Sequence, residues 1–292
     1  MTDAVWTIQR LLAWTTDFFR ERGIENPRLD AEVLLSALLG RDRMYLYVHF
    51  DEPLEQEELA QFRSYVKERA AHMPLAYVLG RREFMGLDFR VTRDTLIPRP
   101  DTEILVQCAV DFLCARMEAG MDELCVADIG TGTGAIALST LHYTERTHAD
   151  AVDISPAAAA VACDNAEMLG LTERIDIHVG DLLAPLAGRA YDMILSNPPY
   201  IPSADIADLM PEVRSYEPHL ALDGGADGLD IYRRLTADAP ALLKEGGAIA
   251  VEVGINEAAA VAALMEEHTR IVRTETMKDL GGIDRVVVGY TV

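Results

Sequence analysis

From Leu124 onward, short apolar runs of strand length alternate with longer runs at helical spacing, and nothing else in this 292-residue chain restricts its fold as much. Cys125 to Ile129, Asp150 to Asp153, Ile175 to Val179, Tyr191 to Ser196, Ala248 to Val253, Ile271 to Thr276 and Arg285 to Tyr290 read as strands. Ala135 to His142, Pro156 to Leu169, Leu229 to Leu243 and Glu257 to His268 read as the helices between them. Parallel strands need a crossover, and a helix supplies one that also covers a face of the sheet. The expectation is an α/β domain with a seven-stranded, mostly parallel sheet, and ligands at the carboxyl ends of its strands.

The chain upstream has a different texture. Val5, Ile8, Leu11, Leu12, Thr15, Phe18 and Phe19 fall on one helical stripe that Gly23 closes. Asn26-Pro27 opens a second helix, Leu54 to Met73 forms a further one, and Met44 to Val48 makes a turn or two. Residues 1–73 therefore read as a small N-terminal helical bundle suited to docking a partner. Pro74 to Pro100 reads as a hairpin linker, with extended runs at Ala76 to Leu79, Arg82 to Phe84 and Leu87 to Val91 broken by Gly80 and Gly86. Residues 101–292 form the α/β domain. Its first helix follows Pro100-Asp101-Thr102-Glu103, where capping is a sufficient reason for both acids.

Charge separates the two parts further. Residues 1–100 hold 14 Lys and Arg against 16 Asp and Glu; residues 101–292 hold 12 against 32, a net of -20 out of -22 for the whole chain. Duplex binding draws on Lys and Arg that neutralise phosphates, and the α/β part lacks that surface, so no direct DNA binding is expected. The apolar stretch Val5 to Phe19 is interrupted by Gln9, Arg10 and Asp17, which excludes a signal-peptide core or a membrane span. No metal is expected, because the four cysteines form no CxxC pair and the seven histidines no HExxH spacing. A cytoplasmic protein with structural cysteines follows from this reading.

Two stretches carry chemistry. Asp128-Ile129-Gly130-Thr131-Gly132-Thr133-Gly134 follows the first strand and opens a helix. Glycines there permit a tight turn and close backbone approach, while the helix N-terminus favours an anionic group. Asp153 ends the next strand, about 20 residues on, where an acid can hold a ribose diol. A bound nucleoside is the functional reading; a tight turn with Asp153 capping the following helix is the plain one. The glycine spacing leaves NAD open, since Ala135 can stand for a third glycine.

The second stretch is Ser196-Asn197-Pro198-Pro199-Tyr200, at the end of the strand Tyr191 to Ser196. Prolines end the strand because they cannot donate ladder hydrogen bonds, and they hold the preceding residues extended. The Asn197 and Pro198 carbonyl oxygens then remain free to accept hydrogen bonds.

Taken together, the spacing of Asp128, Gly130, Gly132 and Gly134 resembles that of S-adenosylmethionine-dependent methyltransferases. Gly180-Asp181-Leu182 resembles their adenine-contacting loop, and Asn197 to Tyr200 completes the set. Pro74 to Gly80, Glu83 to Leu87, Leu96 to Glu103, Tyr216-Glu217-Pro218, Ala221 to Leu229 and Asp279 to Arg285 look like signatures of the HemK/PrmC family. These are protein-(glutamine-N5) methyltransferases that modify peptide chain release factors. One departure is Gly254-Ile255-Asn256, where the family usually has glutamine after Glu-Val-Gly.

The resemblance implies a Rossmann-like class I methyltransferase domain with S-adenosyl-L-methionine as cofactor. It places the cofactor on Asp128, Gly130, Thr131, Gly132, Thr133, Gly134, Asp153, Asp181, Leu182 and Asn197. Asn197, Pro198 and Tyr200 are the implied catalytic residues, and with Pro199 they bind the substrate glutamine of a Gly-Gly-Gln motif. The expected partner is a release factor, met by a monomer. Three alternatives stand beside this. A glutamine methyltransferase of a ribosomal protein shares the chemistry, DNA adenine methyltransferases share Asn-Pro-Pro-Tyr, and an inactive cofactor-binding scaffold would share the loop.

Overall fold

A computed structural model describes residues 5–292, which divide into two compact units. The first comprises the N-terminal helices up to Gly80 together with residues 210–216. Its helices are α1 (Ile8–Glu21), α2 (Pro27–Leu39), α3 (Arg43–Val48), α4 (Gln56–Ala70) and α5 (Leu75–Leu79). Local chemistry sets their ends. The Thr7 hydroxyl caps α1, the Asp42 carboxylate accepts from Tyr45 N at 2.8 Å to start α3, and Glu55 with Glu58 forms a capping box on α4. Phe19, Leu34, Leu35, Leu46 and Phe62 form a core of fully buried side chains. Each such side chain contributes about 1.5–3 kcal/mol of burial energy.

One expectation fails here. Ala76 to Leu79 is helical, not extended, because Pro74 opens a turn, Val78 buries against the helical core, and Gly80 closes it at φ +70°. Five residues are too few for periodicity to separate helix from strand.

The second unit begins at Arg81 with the hairpin β1 (Arg81–Phe84) and β2 (Leu87–Arg90). Phe84 and Phe89 lie edge to face and pack into the same core as α6 (Glu103–Glu118). There follow β3 (Leu124–Ile129), α7 (Ala135–Tyr143), β4 (Thr147–Asp153), α8 (Pro156–Met168), β5 (Ile175–Val179) and β6 (Tyr191–Ser196). The short α9 (Pro211–Tyr216) belongs to the helical unit. The chain ends with α10 (Asp230–Leu242), β7 (Leu243–Glu252), α11 (Ala258–Glu266), β8 (Ile271–Lys278) and β9 (Asp284–Thr291).

All seven expected strands join one sheet in the order β5-β4-β3-β6-β7-β9-β8. The pairs from β5 through β7 are parallel, and β9 runs antiparallel to both neighbours. After β3 the chain steps outward to β4 and β5, then returns to place β6 on the other side of β3. That reversal between β3 and β6 opens a crevice at their carboxyl ends. No helix among the described residues is long and apolar enough to cross a membrane.

Candidate functional site

The glycine loop leaves β3 with Gly130, Gly132 and Gly134 all at positive φ (+75°, +57° and +79°). It is held from within its own neighbourhood. Gly130 N and Thr131 N donate to Val152 O at 2.8 and 3.0 Å, and Gly134 N donates to Thr131 O at 2.8 Å. Asp153, at the end of β4, accepts from Gly132 N at 2.8 Å and from Ser155 N at 2.9 Å through its two carboxylate oxygens. A carboxylate oxygen can accept more than once, so capacity for ligand hydroxyls remains. A Cβ on Gly134 would lie 2.9 Å from Leu138 Cδ1 and 3.3 Å from Ala162 Cβ, so a glycine lets the loop lie against α7 and α8.

Asp128 lies beneath this loop, fully buried. Its Oδ2 accepts from Thr131 Oγ1 at 2.7 Å and from Ala137 N at 3.1 Å, which ties the strand end to the loop and to the helix beyond it. Oδ1 has no hydrogen-bond partner among the described residues, and burial pushes the carboxyl up to about 6. Beyond β5, Gly180 N donates to Asp153 O at 2.9 Å. Asp181 then pairs with Arg234 at 2.7 Å, and Leu182 turns the chain at φ +49°.

Ser196, the last residue of β6, donates to Ile129 O at 2.6 Å and so ties the two strand ends together. Asn197 follows and donates through Nδ2 to Thr102 Oγ1 at 3.1 Å. An amide that commits Nδ2 inward keeps Oδ1 as its acceptor. No hydrogen bond among the described residues ends on Pro198 O. The turn is clamped just after Tyr200: Ile201 N donates to Leu222 O at 3.0 Å, and Gly224 N donates to Ile201 O at 2.9 Å. A Cβ on Gly224 would lie 2.7 Å from Tyr200 Cα, which is why a glycine stands there. Burial pushes the Tyr200 phenol up to about 12.

A cavity of about 500 Å³ opens over these elements. Gly130, Thr131, Gly132, Thr133, Asp153, Asp181, Leu182, Asn197 and Pro199 line it. Asp128, Gly134, Pro198 and Tyr200 are outside the lining, although Pro198 and Tyr200 flank Pro199, which is in it. The volume falls in the range of small-molecule sites, roughly 300–1,000 Å³.

Several residues at the site carry no local signal. Thr102 and Arg99 line the cavity; Arg99 pairs at 2.7 Å with Glu217, whose carboxyl is buried. Asp101 and Glu103 have more than a capping role, since Asp101 pairs with Arg285 at 2.9 Å and Glu103 accepts from Met85 N at 3.1 Å. Arg285 also pairs with Asp279 at 2.9 Å, so the signatures around residues 101 and 279–285 meet in one cluster. Glu252, the last residue of β7, is buried, and its Oε2 has no hydrogen-bond partner among the described residues. Burial pushes its carboxyl up to about 7, against hydrogen bonding from Thr102 and Asn197 and the charge of Arg285. A lone acid ending the run Ala248-Ile249-Ala250-Val251 was the available sign of it. Asn256 sits at φ +70°, a conformation asparagine tolerates better than most residues.

Sheet order, glycine loop and cavity together define a methyltransferase domain, and residues 106–211 match the family described as Methyltransferase small domain. Residues 10–80 match PrmC N-terminal domain. The chain is 46% identical over 285 residues to the release factor glutamine methyltransferase of Geobacter sulfurreducens, covering 98% of this chain and 97% of that protein. It is 36% identical to the solved protein-(glutamine-N5) methyltransferase (release factor-specific) of Alicyclobacillus acidocaldarius, over 70% of this chain and 99% of that one, with a TM-score of 0.43. The hMettl16 catalytic domain, solved with a MAT2A 3'UTR hairpin, shares the fold at a TM-score of 0.55 and 16% identity, over 80% of this chain and 82% of that one. This chain belongs to the release factor glutamine methyltransferase family.

Proposed function

We propose that this protein transfers the methyl group of S-adenosyl-L-methionine to the side-chain amide nitrogen, N5, of the glutamine in the Gly-Gly-Gln motif of a peptide chain release factor. The observation that carries the reading is Asn197, placed at the cavity by β6 with Nδ2 engaged by Thr102 and its oxygen left as an acceptor. Family membership supports the substrate.

The residues present suit the cofactor. Three glycines at positive φ open the loop backbone to close approach at their own positions, and Asp153 is pre-oriented by two backbone N–H groups for a ribose diol. Gly130, Thr131, Gly132, Thr133, Asp153, Asp181, Leu182 and Asn197 would hold it, while Asp128 and Gly134 would act by shaping the loop. Bound there, S-adenosyl-L-methionine supplies an electrophilic methyl group on a sulfonium.

A carboxamide nitrogen is a weak nucleophile because its lone pair is delocalised into the carbonyl. Asn197 Oδ1 and Pro198 O accept the two hydrogens of the substrate amide, which aims the nitrogen and favours positive charge developing on it. Tyr200 stacks on the planar amide and, with Pro199, fixes its distance. Once methylated, with the electron pair of the broken C–S bond left on the donor's sulfur, the amide nitrogen would shed one proton to water; an alkylated amide nitrogen is strongly acidic, so no general base is needed. Exposed Met44, Tyr47, Val48 and Phe50 on the helical unit suit it to docking the protein substrate. The -20 charge of residues 101–292 disfavours DNA, and the reading is completed by a cytoplasmic monomer.

The test is side-by-side incubation of the enzyme and labelled S-adenosyl-L-methionine with release factor, ribosomal protein and DNA. Label on the release factor glutamine alone is expected. Label on a ribosomal protein or on adenine would replace the proposed substrate.

A further inference from the structure

Asn197 works in the proposed reaction only if its amide is turned the right way. The two ends of a side-chain amide are nearly isosteric, so burial alone does not choose between them; hydrogen-bond partners do. The inward partner is Thr102 Oγ1, at 3.1 Å from Nδ2. Thr102 is buried in the short turn Pro100–Thr102 before α6, and a hydroxyl that accepts from Asn197 has its own proton left to donate. Behind it is Glu252. The parallel register of β6 and β7 pairs Ser196 with Val251, so the next residues, Asn197 and Glu252, stand side by side at the strand ends. The Glu252 backbone is pinned in turn by Tyr232 Oη, which donates to Glu252 O at 2.7 Å.

We infer that Glu252 and Thr102 form a positioning relay in which the Glu252 carboxylate accepts from the Thr102 hydroxyl and from Asn197 Nδ2, and the Thr102 oxygen accepts from Nδ2 as well, locking Oδ1 toward the substrate. This rests on the reading of Asn197 given above. Neither residue touches the reacting atoms in this scheme; both act through the amide. A buried carboxylate is costly to keep unpaired, and its orphaned Oε2 is what such a site retains when orientation rather than stability is served. The groups facing Glu252 are Asp101 and Arg285, which pair with each other, and the phenols of Tyr200 and Tyr232.

The relay is complete only with Glu252 ionised. A protonated carboxyl can donate to Thr102 Oγ1 instead, which removes the directional pull on Nδ2. Activity is therefore expected to rise with pH along a limb centred near 7, the value to which burial takes Glu252.

The experiment compares Glu252→Gln, Thr102→Val, Thr102→Ser, their Val/Gln double variant and Asn197→Ala, using full-length enzyme and release factor. Glu252→Gln and Thr102→Val are expected to lower kcat about 10–100-fold with KM for release factor and Kd for S-adenosyl-L-methionine within about 3-fold. Thr102→Ser should stay within about 3-fold of wild type. The double variant should lose less than the product of the two single losses, since both groups hold one amide, and Glu252→Gln should lose the pH limb. Wild-type kcat with an intact limb in Glu252→Gln, or additive losses in the double variant, would overturn the relay. If Glu252→Gln does not fold, equal activity of Thr102→Val and Thr102→Ser overturns it instead. Full activity in Asn197→Ala would overturn the underlying reading of the site, whereas a dead Asn197→Ala beside unaffected Glu252 and Thr102 variants would overturn the relay alone.

Discussion

The glycine loop and the Asn197 turn stand side by side at the carboxyl edge of one sheet, yet they are held in opposite ways. The loop is stitched by its own neighbourhood: Asp128, Thr131, Val152 and Asp153 supply the bonds, all within about two dozen residues of one another. The turn is held from far along the chain, by Thr102 at a separation of 95 residues and by the segment around Leu222 and Gly224. A locally stitched element holds its shape wherever the strand and helix around it form. A turn held by distant segments takes its working shape only once the whole sheet is assembled, and so it can be damaged from several places without touching it.

If the loop serves the cofactor and the turn serves the substrate, variants should separate along that line. The largest effect belongs to Asn197→Ala, expected to lower methyl transfer to release factor by at least about 10³-fold while calorimetry finds cofactor affinity, which Asn197 shares with the glycine loop and Asp153, reduced by no more than about 10-fold. A parallel loss of affinity would merge the two regions into one. Asp153→Ala should do the reverse: affinity for S-adenosyl-L-methionine weakens roughly 100-fold, from the loss of charge-assisted hydrogen bonds, and activity returns at saturating cofactor. Titration with rising cofactor reads this directly. Gly134→Ala acts on the loop's fit against its helices. It sets a Cβ at φ +79° against Leu138 and is expected to lower stability by about 1–3 kcal/mol, measured by denaturant unfolding.

The smallest effect is on the pH dependence of stability, and it spans both regions. Asp128 and Glu252 titrate near 6 and 7 when folded, above their ordinary values of 3.8 and 4.5, because burial disfavours their charge. The folded state therefore binds more protons than the unfolded one between roughly pH 4 and 7. Stability contributed by these groups is present at the acid end and is lost as pH rises through that window. Asp128→Asn should flatten the lower part of the slope and Glu252→Gln the upper part, in unfolding curves taken at half-unit intervals.

What could be read in the sequence follows the same divide. The glycine loop, Asp153 and the strand alternation were legible because their signals are local: spacing, turn residues and period. The end of β6 at Ser196 was legible because the prolines that follow cannot continue a ladder. Thr102, Glu252 and the pair Arg99–Glu217 were not, since a threonine before a helix or an acid after a strand has an adequate local explanation. Asp101 and Glu103 show how such an explanation misleads: both stand where helix-start acids belong, yet each has a distant partner in Arg285 or Met85. Helix α5 was missed for another reason, having too few residues for its period to show.

Arg69 has a consequence for how the protein is made. This buried guanidinium pairs at 2.6 Å with Asp30 and at 2.6 Å with Glu212, and the second carboxylate is 143 positions further along. The N-terminal helices leave the ribosome early, but the helix carrying Glu212 emerges only after most of the sheet has been synthesised. For much of translation the nascent helical unit holds a cation destined for burial with half of its counter-charge still untranslated. The helical unit is thus completed only once the chain has been made past residue 212.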